Sequence, residues 1–236
     1  MKKVTLYLLI TTLFFASCAK DEIVPPVTEE QCIAQTSNPA GRSYSNDSVI
    51  VFNCTSKHCG IIPLSTKNYW VYEDSIFSDG VLQKVQLDTL RYSTTYKSLS
   101  DGLVWWQASM DIGLPETLYA NDSTLFSISD RVFMPDVKDA KKEYGLFAGD
   151  SLRYLANFED AAAQGRSLKI SGNFKTPAGS FNDYLYFEKN ARNYRKDQVY
   201  FEPGIGVLKY IQEKAPMGTR FLKLQQISTL VSYHIE

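Results

Sequence analysis

The chain has 236 residues, with 25 basic and 26 acidic side chains interspersed along it as on an ordinary solvated surface. A net charge of −1 without a clustered basic face argues against a nucleic-acid partner. Aromatic residues make up 13%, including fifteen Tyr and thirteen Phe, and these favour the pleated, half-buried surface of a sheet over a long helix.

Residues 1–17 have the layout of a secretory signal. Lys2 and Lys3 form a short positive region, and Val4 to Phe15 is an apolar run broken only by Thr5, Thr11 and Thr12. Ala16 and Ser17 are the small residues that a signal peptidase needs beside its cut. The run is shorter than the ~20 residues that span a bilayer as a helix. Phe15-Ala16-Ser17-Cys18 resembles a bacterial lipobox, with Phe15 where Leu is usual. The resemblance implies cleavage before Cys18, acylation of that cysteine and attachment to a membrane through the lipid. Each buried CH₂ of such a chain contributes about 0.8 kcal/mol. Lys20, Asp21 and Glu22 follow, and an acidic pair at this point resembles the export signal that sends Bacteroidota lipoproteins to the outer face of the outer membrane. Removing residues 1–17 takes away two lysines and no acids, leaving 23 basic and 26 acidic residues.

Residues 18–43 are rich in Pro, Thr, Ser, Glu and Gln, a composition that buries too little apolar surface to fold alone, and are expected to be a tether. Residues 44–236 are expected to form a single β-rich domain. With Cys18 acylated, Cys32, Cys54 and Cys59 remain, and three thiols in an oxidising compartment allow one disulfide and one leftover. Cys54 with Cys59 closes a short loop, whereas Cys32 with either would pin the tether to the domain. Cys32, Cys54, His58 and Cys59 also make up a Cys₃His zinc set. Adjacent His58 and Cys59 are poorly spaced for one ion, so no metal and no cofactor are expected.

From Ser48 onward apolar and polar residues alternate at short range. Strands are expected over Ser48 to Cys54, over Tyr69 to Phe77 with Trp70, Tyr72 and Ile76 on one side, and over Val81 to Thr95 with Val81, Val85 and Leu87 on one face. The turn tripeptides Ser78-Asp79-Gly80 and Ser100-Asp101-Gly102 separate them as an antiparallel meander requires. Leu103 to Met110 and a pair within 116–129 continue the pattern. Residues 138–165 carry Ala, Lys, Glu and Gln, and one short helix is expected there, at Asp139 to Tyr144 or Asn157 to Gln164.

Beyond them, Ser167 to Lys175 and Phe181 to Lys189 flank Thr176-Pro177-Ala178-Gly179 as a hairpin. Gln198 to Phe201 and Gly206 to Gln212 flank Glu202-Pro203-Gly204-Ile205, and Thr219 to His234 is a last long strand. Pro203 sets the approach to that turn, and Gly204 and Gly206 supply the positive φ that only glycine adopts without penalty. The fold class is therefore all-β and mainly antiparallel, a curved sheet, half-barrel or open barrel with at most one or two short helices.

Three segments together resemble a family of uncharacterised β-rich lipoproteins of Bacteroidota. They are Pro63-Leu64 with Tyr69-Trp70-Val71-Tyr72, Thr176-Pro177-Ala178-Gly179-Ser180-Phe181, and the run from Tyr200 to Lys209. The resemblance spans roughly residues 61–213; it implies a curved antiparallel sheet and no particular activity. Five tripeptides, beginning at Asp47, Asp74, Asp88, Asp122 and Asp150, resemble the O-glycosylation acceptor of that phylum.

The two histidines, His58 and His234, belong to no Ser/His/Asp arrangement, and neither a nucleophile elbow nor His-Glu-x-x-His is present. Among the acids, Asp111, Glu116, Asp183 and Glu188 are the ones on offer to a glycosidase-like hydrolase. The expected function is that of a membrane-anchored, surface-facing binding or accessory module for a glycan, lipid or protein. A carboxylate-dependent hydrolase and a structural subunit of an envelope complex are the alternatives.

Overall fold

A computed structural model describes residues 32–131, 134–146, 149–158 and 161–236 of the chain. Cys18, Lys20, Asp21 and Glu22 lie outside the described residues. The chain folds into mainly antiparallel sheets, and the helical element among the described residues is one 3-10 turn, Asn46–Ser48. No helix among these residues is long and apolar enough to cross a membrane.

The strands run in chain order as β1 (Ile33–Ala34), β2 (Ser43–Ser45), β3 (Val49–Val51), β4 (His58–Cys59), β5 (Tyr69–Ser78) and β6 (Val81–Arg91). Next come β7 (Thr94–Ser98), β8 (Val104–Gln107), β9 (Thr117–Ala120), β10 (Thr124–Arg131), β11 (Met134–Gly145), β12 (Ser151–Asn157) and β13 (Ala162–Lys169). The last six are β14 (Asn173–Thr176), β15 (Gly179–Asn182), β16 (Leu185–Ala191), β17 (Arg195–Glu202), β18 (Gly206–Lys214) and β19 (Lys223–His234).

Two large sheets dominate. The smaller has the order β2-β11-β10-β9-β8-β7-β3, and its two edge strands are joined by the three-residue 3-10 turn, so this sheet curls back nearly onto itself. Its inside holds Tyr44, Leu103, Trp105, Tyr119, Phe126 and Ala140 as a separate core. The larger has the order β12-β13-β16-β17-β18-β19-β5-β6. The main core lies between the two sheets, with Trp70, Tyr72, Phe187, Val199, Phe201 and Leu230 from the larger facing Trp106, Leu118, Leu125 and Tyr144 from the smaller. Burying each such aromatic or aliphatic side chain contributes about 1.5–3 kcal/mol. Tyr144 stacks on Phe187 with ring centroids 4.5 Å apart, which ties β11 to β16 across the layers.

Two sequence expectations are corrected. The domain begins by residue 32 rather than 44, because β1 pairs in parallel with β4, Gly41 donates its N–H to the Ala140 carbonyl and β2 is an edge strand of the smaller sheet. The segments expected to offer a helix lie instead in β11 and in β12 and β13. In β13 the small residues Ala163, Gly165 and Ser167 are buried alternately, a period of two that outweighs the helix propensity of Ala and Gln. Val81, Val85 and Leu87 are each more than half exposed on the edge strand β6. The expected last long strand is present as β19, which sits between β18 and β5 and joins the late strands to the early ones.

The turn signatures are found where the composition places them. Pro177 and Ala178 form the two-residue turn of the β14–β15 hairpin, and the outer parts of the same segments, in β13 and β16, pair within the larger sheet. Gly204 and Gly206 have φ of 82° and 127°. Their turn is pinned by three long-range bonds: Gly204 N–H to the Ile61 carbonyl, Trp70 Nε1 to the Ile205 carbonyl and the Tyr72 hydroxyl to the Val207 carbonyl.

Candidate functional site

The inward face of the larger sheet is apolar over only part of its length. Directly opposed residues on antiparallel strands share a face. Phe187, Val199, Tyr210, Ser228, Asp74 and Gln86 therefore form one row across β16, β17, β18, β19, β5 and β6. The next row, two residues along each strand, is Lys189, Asp197, Gln212, Gln226, Ile76 and Lys84. The face thus passes from aromatic to polar within about 7 Å. Gln86, Gln212 and Gln226 are half-buried on this polar shelf.

At one side of the shelf, Arg195 grips Asp197 with two parallel bonds, Nε to Oδ1 at 2.7 Å and Nη2 to Oδ2 at 2.6 Å. The same Nη2 lies 3.2 Å from the Tyr210 hydroxyl and 3.3 Å from Asp111 Oδ2. Tyr210 in turn donates to Asp197 Oδ2 and accepts from Gln212 Nε2 at 2.7 Å. Burial works against the guanidinium charge, yet the contact with Asp197 outweighs it and raises the Arg195 pKa. Beside this network Lys189 Nζ meets Glu143 Oε2 of the other sheet at 2.7 Å, and Ser127 donates its hydroxyl to Glu143 Oε1. An open groove of about 490 Å³ runs past Glu143 between β11 and β12.

At the other side, Asp74 is 2% exposed and its Oδ1 has no hydrogen-bond partner. Burial raises the Asp74 pKa, and the neighbouring Asp88 carboxyl raises it further against the opposing effect of Ser228 and Gln226. Gln86 Nε2 bonds Asp88 Oδ2, and Gln226 Nε2 donates to the Ser228 hydroxyl at 2.9 Å. The loop over the middle of the shelf is held down at Gly113, where a Cβ would come within 2.7 Å of the Tyr210 ring.

The cysteines pair as Cys32–Cys59, and Cys54 stays a buried thiol. The Cys54–Cys59 loop is not closed, because His58 and Cys59 are successive residues of a strand with opposite faces. His58 turns inward to Cys54 Sγ, 3.7 Å from its Nε2, while Cys59 turns to Cys32. Among the described residues no group of three or more His, Cys, Asp or Glu is placed to hold a metal ion.

Three of the four acids considered for hydrolysis hold separate partners. Asp111 meets Arg195, Glu116 accepts from Gln107, and Glu188 on the outward face accepts from Tyr186 and pairs with Lys196. Asp183 sits in a turn with φ 57°. The carboxyls that do lie together, Asp74 and Asp88, stood out in the sequence only as the starts of glycosylation-like tripeptides, not as an acid pair. Of the five glycosylation-like tripeptides, those at Asp88 and Asp150 present an exposed hydroxyl residue, Thr89 and Ser151, on the edge strands β6 and β12. No known protein family, no curated protein and no solved structure matches the chain.

Proposed function

We propose that the chain is a lipid-anchored, outward-facing outer-membrane protein, related to the β-rich lipoproteins of Bacteroidota, that binds a hydroxyl-rich ligand of the glycan class on its polar shelf. The observation that carries this reading is the group of half-buried amides in two adjoining rows, Gln86 directly opposite Asp74 and Gln212 opposite Gln226, beside Tyr210 and the Asp74–Asp88 pair. Side-chain amides offer donors and acceptors side by side, and Asp74 holds an unused acceptor next to them. A polyol supplies the matching alternation of donors and acceptors. A sheet face that served only as core would be apolar there, since unpaired buried polar groups cost about 1–3 kcal/mol each.

Two experiments test the reading. The purified domain is screened on a glycan array, alongside Gln212→Leu and Gln226→Leu in one chain. Binding by the parent that is lost in this variant at unchanged melting temperature supports the site, and equal binding by both removes it. For the anchor, Cys18→Ser should give a precursor that no longer partitions with membranes. Replacing Lys20, Asp21 and Glu22 with Ala should leave a lipidated protein shielded from protease added to whole cells.

A further inference from the structure

Three turns lie together at one end of the larger sheet: Asp79-Gly80 between β5 and β6, 192–194 between β16 and β17, and 215–222 between β18 and β19. Lys223 Nζ reaches Asp79 Oδ1 at 3.8 Å, and the Ala215 N–H bonds the Tyr194 carbonyl at 2.8 Å, so the three tips form one pole. Met217 is fully exposed, Phe221 is 79% exposed, and Val81 and Leu82 beside them are more than half exposed. Large apolar side chains at the tips of loops bury nothing within the fold. Around them stand the exposed Lys84, Arg192, Lys214, Arg220 and Lys223, against the acids Asp79 and Glu213.

From this arrangement we infer that the pole is a membrane-contact surface, which inserts Met217 and Phe221 into a bilayer of anionic phospholipid while the cations meet its phosphates. Apolar side chains flanked by Lys and Arg are the chemistry of interfacial binding. Each basic residue near an anionic surface adds about as much as a factor of five in affinity. The tips protrude singly and offer no flat apolar face, which suits a fluid lipid surface better than a rigid protein one.

The length of chain before Cys32 allows this contact. The chain joins the domain at Cys32, held to Cys59, and Lys57 and Lys67 of that neighbourhood pair with Glu236 at the Tyr69–His234 end of the sheet. The pole is at the other end of β5, a ten-residue strand of about 30 Å. The fourteen steps from Cys18 to Cys32 reach at most about 50 Å. A lipid on Cys18 therefore leaves the tether long enough for the pole to touch the same leaflet. The inference itself stands on the pole and does not require that lipid.

The test uses residues 31–236 without acylation, a single compact unit that holds the complete core. The protein is spun down with vesicles of phosphatidylglycerol and phosphatidylethanolamine, and with vesicles of phosphatidylcholine alone. Retention is expected on the anionic vesicles only and should fall as salt is raised. Met217→Ser with Phe221→Ser should lower that retention by more than about tenfold at unchanged thermal unfolding. Arg220→Ser with Lys223→Ser should lower it by about 25-fold, a factor of five for each cation removed. Equal retention of the parent and the Met217/Phe221 variant, or no retention on anionic vesicles, overturns the inference. Self-association abolished by the same double variant also overturns it, and would assign the pole to a second copy of the chain.

Discussion

Trp106 Nε1 lies 3.4 Å from Nδ1 of His58, and this contact settles which nitrogen of the imidazole carries its proton. An indole N–H only donates, so Nδ1 must accept and the proton of the neutral ring sits on Nε2, facing Cys54 Sγ at 3.7 Å. The Cys54 thiol faces the Ser56 carbonyl, and the chain of donors runs in one direction from Trp106 to Ser56.

Protonating His58 puts a second N–H against the indole N–H within the core. Burial accordingly lowers the His58 pKa from 6.5. The unfolded chain then binds more protons than the folded one below about pH 6.5, so this contribution to stability is complete above that value and is lost as pH falls through it. Thermal unfolding followed from about pH 7.5 down to about pH 5 should show a falling midpoint in the parent. His58→Gln should flatten that slope, and an identical slope in the variant would show that His58 is not its source.

The aromatic alternation in Tyr69 to Phe77 was enough to place Trp70 and Tyr72 in the core, because a strand covered on one face writes its burial into a period of two. The same pattern in β6 does not mark a core. Val81, Val85 and Leu87 alternate as a buried face would, but no layer covers that edge. The polar shelf was not legible at all. Its members are neighbours only through pairing: Asp74 meets Ser228, and Ser228 meets Tyr210, across separations that no short-range pattern records. Sequence left Cys54 with Cys59, and Cys32 with either, as possible bridges, and strand alternation at His58 and Cys59 selects Cys32–Cys59.

The Cys32–Cys59 bridge closes a loop over a sequence separation of 27 residues. In the chain-entropy account, a loop of this length stabilises the fold by about 3–4 kcal/mol. Cys32→Ser should therefore lower the unfolding free energy of the oxidised protein by that order. Adding a reductant should bring the parent to the level of the variant and leave the variant where it was. Cys54→Ala leaves the bridge in place, so its free energy should still drop on reduction. Insensitivity of the Cys54→Ala protein to reductant would mean that Cys54 takes part in the bridge in solution.

Asp74 tests whether the shelf is kept for function at a cost in stability. A buried acid whose pKa is raised binds protons more readily folded than unfolded, so its contribution falls as pH rises above the ordinary carboxylate value of 3.8. Asp74→Asn removes the like-charge contact with Asp88 while keeping the shape. It should stabilise the domain at neutral pH by on the order of 1 kcal/mol, with less gain under acid conditions. A ligand bound on the shelf should be held less tightly by this stabilised variant. Destabilisation by Asp74→Asn at neutral pH would instead make the carboxylate a structural acceptor.

The turn after β17 separates backbone strain from packing within three residues. Gly204 and Gly206 both hold positive φ, but their surroundings differ. A Cβ on Gly204 would meet nothing within 4 Å, so Gly204→Val should cost only the left-handed backbone penalty of about 1–2 kcal/mol, somewhat more for the branched side chain. A Cβ on Gly206 would lie 3.4 Å from both Trp70 Nε1 and Ile62 Cδ1. The further methyls of Val there press on the indole whose N–H holds the Ile205 carbonyl. Gly206→Val should thus cost at least about 1–3 kcal/mol more than Gly204→Val, by overpacking. Lys209 faces outward from β18, and Lys209→Ala should change stability by less than about 0.5 kcal/mol. The three variants, unfolded by urea at one temperature, should rank Gly206→Val below Gly204→Val below Lys209→Ala. Tryptophan fluorescence separates the mechanisms, since only Gly206→Val moves the Trp70 environment in the folded state. Equal losses for the two glycine variants, with no spectral change in either, would show that the indole contact adds nothing to the turn.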